Sequence, residues 1–182
     1  MTAHRLGKMV DSNDIANGDG PMAPTRCGQL PVKDVINLCF SGKYTEKEIR
    51  EKVTKTGGLV DHLGTSDARE VLKMKADGNR YAGLVYDAMI YQIGKTAGSM
   101  AAVLRGEVDA IILTGGISHD PYLVEVLTGM LGFIAPIQVM AGEFEMEGLA
   151  AGALRVLRGI ECPKFYTGRP VFQGFHKMGQ LA

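Results

Sequence analysis

The residues best suited to chemistry lie where VDAIILTGGISHDPYL, residues 108 to 123, changes character at its middle. Ala110-Ile111-Ile112-Leu113 is a short, branched, uninterrupted apolar run, the pattern of a strand buried on both faces of a parallel sheet. Gly115 and Gly116 then permit positive φ and leave no Cβ to block the approach of a ligand or another backbone. Ser118 or Asp120 can act as N-cap, Pro121 suits the first helical position, and Leu123, Val124 and Leu127 follow at helical spacing. Strand, glycine turn and helix aim free backbone N–H groups and the positive end of a helix at whatever lies above the strand, a geometry suited to phosphate or a nucleotide. Tight strand-to-helix turns also use glycine for steric reasons alone, so this segment by itself leaves both readings open.

Such a turn must be held by its neighbours. Before it, Leu84, Val85, Ala88, Met89, Ile93, Ala97, Met100, Ala101 and Leu104 recur at three and four, which predicts one amphipathic helix over 79 to 104, about 39 Å long. Its methionines and alanines suit a core or a dimer contact. The strand is expected at 109 to 114 and the following helix at 121 to 131. FIAPIQV, 133 to 139, reads as another buried strand, and EMEGLAAGALRVLRG, 145 to 159, as a last helix. This β-α-β-α order implies a parallel sheet with helices outside.

Nearer the start, TAHRLGKMVD reads as a hairpin entered part-way, and 13 to 28 is a long loop dense in glycine, proline, aspartate and asparagine. Long structured loops often carry function. LPVKDVINLCF reads as a short helix; Thr45 with Glu48 forms a capping box that opens a second helix toward Lys55; TSDAREVLKMKA starts a third, capped by Ser66 or Asp67. The tail, 160 to 182, has no clear period.

With 182 residues the chain suffices for one domain. Twenty basic residues balance twenty acidic ones, so no net field draws it to nucleic acid or an anionic membrane, and a small-molecule or protein partner is expected. Cys27, Cys39 and Cys162 show no metal or disulfide spacing. Reduced thiols in a cytoplasmic protein are the expectation, and no apolar signal or spanning segment argues otherwise. The four histidines are scattered and none is assigned to chemistry, although His119 stands beside the glycine turn.

Four segments converge on a family. PTRCG at 24 to 28, GTSDARE at 64 to 70, LTGGIS at 113 to 118 and GEFEMEGLAAGALRVLRG at 142 to 159 resemble, in order and spacing, the C-terminal half of the butyrate kinases, within the acetate and butyrate kinase family of the actin-like ATPase superfamily. The resemblance implies an α/β, ribonuclease-H-like domain, residues 1 to 182, that is the nucleotide-binding domain of a two-domain kinase. It implies ATP/ADP and Mg2+ as cofactors, homodimerisation through this domain, and reversible transfer of the γ-phosphoryl group to a short-chain carboxylate such as butyrate. Carried over by position, Gly115, Gly116, Ile117 and Ser118 match the family's adenosine motif, and Asp67, Ala68 and Arg69 its adenine and ribose pocket. Arg26 matches the arginine of the Thr-Arg-x-Gly signature, which contacts the phosphoryl group in flight, and Glu145 the acidic residue near magnesium.

Family members are about twice this length, so the resemblance also implies a domain incomplete at its N-terminal end, without the first phosphate loop and the acyl pocket. A strand central to the sheet would precede residue 1. Its absence is expected to open the sheet, leaving two unpaired edges, or to be closed by the hairpin of residues 2 to 11 moving against the 109 to 114 strand. Two other readings stand beside a kinase half: a non-catalytic nucleotide-binding or dimerisation module, and a sugar-kinase-like relative, against which PTRCG and GEFEME argue.

Overall fold

A computed structural model of the protein describes residues 1–168. The chain divides into two compact units, Met1–Glu143 and Phe144 onward, each considered by itself.

The first unit opens with an antiparallel hairpin, β1 (Thr2–Arg5) and β2 (Lys8–Ser12), turned at Leu6 and Gly7 with φ of 50° and 74°. Positive φ at both central residues matches the right-handed twist of the strands on either side. The loop after it contains a 3-10 turn at Ile15–Asn17. Next come α1 (Val32–Cys39) and α2 (Glu46–Thr54), the latter started by the capping box expected of it: the Glu48 N–H donates to Thr45 Oγ1 at 3.3 Å, and the Thr45 N–H to the Glu48 carboxylate at 2.7 Å. A short α3 (Leu59–Leu63), unforeseen from the sequence, precedes α4 (Ala68–Ala76). Asp67, not Ser66, caps α4, accepting from the Arg69 N–H.

The spine is α5 (Arg80–Val103), a 24-residue helix started by Asn79, whose side chain accepts from the Ala82 N–H. Ala82, Val85, Tyr86, Met89, Ile90 and Ala97 form its buried stripe. They pack with Leu59 and Val71 from the preceding helices and with Leu123, Leu127 and Leu131 of α6 (Pro121–Leu131) in one apolar core. β3 (Ile111–Gly115) and β4 (Ile137–Ala141) run parallel, with Ile111 opposite Ile137 and Gly115 opposite Ala141.

Two expectations are corrected. The strand read over 133 to 139 lies at Ile137–Ala141: residues 132 to 135 turn out of the preceding helix, the Ile134 N–H donating to the Leu131 carbonyl, and the first ladder bond runs from the Ile111 N–H to the Pro136 carbonyl. The β3 strand alternates half-buried with exposed residues instead of being covered on both faces, and Ile112 is 57% exposed. Of the two outcomes expected for the start of the chain, the open sheet is the one found: the hairpin does not close onto the 109 to 114 strand, and β1-β2 and β3-β4 are separate two-stranded sheets. A largely apolar cavity of about 340 Å³ is lined by residues 1 to 4, residues 110 to 114 and part of α5. Strands presenting a face would contribute every second residue. Consecutive residues line this cavity from both sides, so it is the strand edges that border it.

The second unit contains α7 (Glu145–Leu157), with an Arg155 to Glu161 ion pair at 2.8 Å closing its C-terminal end. Of the expected tail, 169 to 182 lie outside the described residues. No described helix is long and apolar enough to cross a membrane.

Candidate functional site

The glycine turn is a 3-10 turn, Gly116–His119, joining β3 to α6. Its ends are fixed from three directions. Gly115 and Gly142 exchange backbone hydrogen bonds, at 2.9 Å for the Gly115 N–H and 3.2 Å for the Gly142 N–H. The buried Ser118 hydroxyl donates back to the Thr114 carbonyl at 2.9 Å. Asp120 ends the turn and caps α6, its carboxylate accepting from the N–H groups of Tyr122 and Leu123, both at 3.1 Å. Of the two caps the sequence allows, Asp120 is therefore the one used, since the Ser118 oxygen is turned toward the strand. A consequence is that a carboxylate already occupies the N-terminus of α6. The groups left free are those of the turn: no described acceptor takes the N–H of Gly116 or Ile117.

The two glycines differ in what they require. Gly115 has φ of 87°, a conformation L side chains rarely adopt. Gly116 has no positive φ, and a Cβ built there would meet nothing within 4 Å. Neither backbone conformation nor packing within the chain demands glycine at 116. Open space beside an exposed backbone N–H is what a closely approaching ligand would use.

Asp67, Ala68 and Arg69 form the first turn of α4. The Arg69 guanidinium folds back onto Asp67, with Nε 2.9 Å from Oδ1, and remains exposed to solvent. These side-chain bonds, and then the bond from the Arg69 backbone, hold the Asp67 carboxyl down at about 2.

Arg26 sits at the tip of a braced loop. Ala23 and Arg26 exchange backbone hydrogen bonds, the Cys27 N–H reaches the Val53 carbonyl at 3.3 Å, and the Gly57 and Val60 N–H groups donate to the Thr25 and Pro24 carbonyls. Gln92 of α5 closes the loop at its base: its Oε1 accepts from both the Met22 and the Gln29 N–H at 3.0 Å. Gly28 is required here, since its φ is 74° and a Cβ would run into the Met22 backbone. The Arg26 guanidinium is half-buried and has no ion-pair or hydrogen-bond partner among the described residues. A loop-to-surface salt bridge is thus not what holds it, and its charge is available to an external anion. The adjacent Cys27 thiol is pushed up by burial, which disfavours the nucleophilic thiolate.

In the second unit, Glu145 opens α7 together with Glu147 in its first turn, a position the helix dipole favours for carboxylates. No group of three or more His, Cys, Asp or Glu among the described residues could hold a metal ion. A lone carboxylate fits magnesium that arrives with nucleotide phosphates rather than a resident ion.

Sequence reading missed Gln92, Gly142 and Tyr86. Gln92 lies 63 and 70 positions from the amides it binds, and Tyr86 donates to Asp120, 34 positions away, at 2.8 Å. No local pattern carries such pairings. The only hint is their helical register, which turns both toward the inner side of α5.

Comparison with known proteins bears on this arrangement. Residues 1–135 match the acetokinase family. The chain is 54% identical over 166 residues to a "Probable butyrate kinase 2" of Caldanaerobacter subterraneus, covering 91% of this chain and 47% of that protein. It is 48% identical over 164 residues to butyrate kinase 2 of Clostridium acetobutylicum, covering 90% and 46%. The structure is similar to that of Porphyromonas gingivalis acetate kinase, with a TM-score of 0.75 at 22% identity over 86% of this chain and 46% of that one. It is likewise similar to a propionate kinase from Francisella tularensis, with a TM-score of 0.68 at 22% identity over 80% and 44%. The fold is therefore the α/β, ribonuclease-H-like fold of the actin-like ATPases, and the chain spans about half the length of the proteins it matches. On a family match covering most of its residues, and on identities near one half across nine-tenths of its length, this chain belongs to the acetokinase family.

Proposed function

We propose that residues 1 to 182 form the nucleotide-binding domain of a carboxylate kinase that interconverts butyrate and ATP with butyryl phosphate and ADP. The observation that carries this reading is the turn at residues 115 to 118: an exposed glycine that packing among the described residues does not require, with its own N–H and that of Ile117 taken by no described acceptor. The similarity to butyrate kinases supports the choice of acceptor.

In this reading Gly115, Gly116, Ile117 and Ser118 receive the adenosine, and Asp67, Ala68 and Arg69 border the base and ribose, Arg69 leaving Asp67 as it does so. Arg26 holds the γ-phosphoryl group during transfer. Transfer between two oxygens depends on alignment and on neutralising charge on the equatorial oxygens, and a planar guanidinium with a fixed fork serves both. Magnesium bound with the nucleotide adds charge neutralisation at the phosphates, and Glu145 is the residue assigned to it, directly or through water. The carboxylate substrate is positioned by the part of the family's sequence that this chain does not span. The domain is further proposed to work in the cytoplasm, in short-chain fatty acid metabolism, and to homodimerise through the exposed side of α5.

Two measurements test the kinase reading. Calorimetry should detect ADP binding by the 182-residue chain. Butyryl phosphate should form from butyrate and ATP when the chain is mixed with the residues of the Clostridium acetobutylicum enzyme that it does not match, and stay near background with the chain alone. Absence of nucleotide binding in both preparations would sink the proposal.

A further inference from the structure

Five side chains link α4 and the start of α6, and they meet on adjacent residues of α5. Tyr86 is fully buried, and its hydroxyl donates to Asp120 Oδ2 at 2.8 Å. Burial first, and then the bond to Asp120, push the phenol far above its ordinary value, so it remains a donor at every physiological pH. Asp87, one residue on, accepts from the Tyr122 hydroxyl at 2.9 Å and from Lys75 Nζ of α4 at 3.1 Å. The Lys75 ammonium also lies 3.5 Å from the centroid of the Tyr122 ring. α4 is thereby tied through Lys75, and the start of α6 through Asp120 and Tyr122, to a single point on the spine.

Asp120 is the last residue of the glycine turn as well as the cap of α6. Its Oδ1 serves Tyr122 and its Oδ2 serves Leu123, so the helix fixes the carboxylate relative to α6 alone. The other two anchors of the turn, Ser118 to Thr114 and Gly115 to Gly142, run only to the strands beside it. The Tyr86 hydroxyl supplies the contact from the turn's end to α5. Without it, Asp120 Oδ2 keeps a single amide donor and the turn loses its bond to the spine.

We propose that Tyr86 is a positioning residue for nucleotide binding: through Asp120 it sets where the N–H groups of Gly116 and Ile117 point. The proposal rests on the assignment of that turn to the nucleotide. The test is Tyr86→Phe in the full 182-residue chain, which removes one oxygen and keeps the ring in the core. ADP titrated by calorimetry should bind about tenfold more weakly, the loss expected for one buried hydrogen bond to a charged group. In 15N-labelled protein without nucleotide, the Gly115 and Gly116 amide resonances should shift. Asp120→Asn, which keeps an acceptor for the helix amides and weakens the pairing with the phenol, should move both readouts in the same direction and serves if Tyr86→Phe does not fold. A lowered melting temperature with unchanged ADP affinity and unchanged glycine amides would assign Tyr86 to stability alone and overturn the proposal. If the unaltered chain binds no ADP, the nucleotide assignment fails, and the glycine amides still decide whether Tyr86 positions the turn.

Discussion

At the scale of single residues, the site separates glycines the backbone needs from one it does not. Gly116→Ala should leave the melting temperature of the chain essentially unchanged, because the added methyl meets nothing, while ADP affinity falls on the order of tenfold. Gly115→Ala should instead cost about 2 kcal/mol of stability measured by urea titration, since its φ of 87° and ψ of 169° lie in a region used almost solely by glycine. On the proposed kinase reading, with the chain mixed with the residues of a butyrate kinase that it does not match, Arg26→Ala should lower kcat by about a thousandfold with nucleotide affinity nearly intact, and Arg26→Lys should recover little. Loss of ATP binding with unchanged kcat would contradict that role. Asp67 adds a pH dependence. Its carboxyl is depressed from 3.8 to about 2 in the folded chain, so the unfolded state binds a proton more readily. The stabilisation is complete above the ordinary carboxylate value and fades as pH falls from 3.8 toward 2, so Asp67→Asn should flatten the melting curve's dependence on pH in that window. The glycine turn and the Asp67 cap were legible in the sequence because both are local patterns. The Tyr86 to Asp120 and Gln92 to Met22 bonds were not, because no spacing rule links residues brought together only by packing.

At the scale of elements, the long helix and the capping box were legible for the same reason of locality, whereas β4 and the exposure of β3 depended on partners. Thr45→Ala should destabilise the chain by about 1 kcal/mol, since it removes the acceptor for the Glu48 N–H and half of the reciprocal pair at the start of α2. On the side of α5 away from the core, three large side chains are exposed, Tyr81, Leu84 and Tyr91 at 51%, 66% and 57%, with Lys95 beside Tyr91. An exposed leucine between two tyrosines is a place where a second surface can pack. If that surface is another copy of the chain, as the proposed homodimer requires, Leu84→Glu should convert dimer to monomer in sedimentation equilibrium while thermal unfolding of the core is retained. A dimer that survives the charge would move the contact elsewhere.

For the whole molecule, what decides behaviour is the space between the two small sheets. The sequence anticipated two outcomes, an open sheet or a hairpin shifted to close it, and could not choose between them because the choice rests on how β1 sits on α5 relative to β3. In the structure the hairpin sits against α5, with Ala3 of β1 buried, and does not pair with β3. The gap therefore stays open, bordered by the outer edges of β1 and β3, each with backbone N–H and C=O groups that no described strand pairs. Such edges accept foreign strands, and neither carries a proline to prevent it. The chain is accordingly expected to form concentration-dependent oligomers beyond any dimer made through α5, by strand pairing across this gap. Ile112→Pro, at the centre of β3, removes an N–H from the edge at a position that is already exposed. It should reduce the higher oligomers seen in light scattering, and Leu84→Glu should not. Adding the unmatched residues of a butyrate kinase should have the same effect as the proline, because a strand seated in the gap occupies both edges at once. Hydrogen exchange provides the check: the amides of Ile112 and Thr114 should exchange fast in the dilute chain and become protected in the mixture, and fast exchange under both conditions would show that this gap is not where the two polypeptides meet.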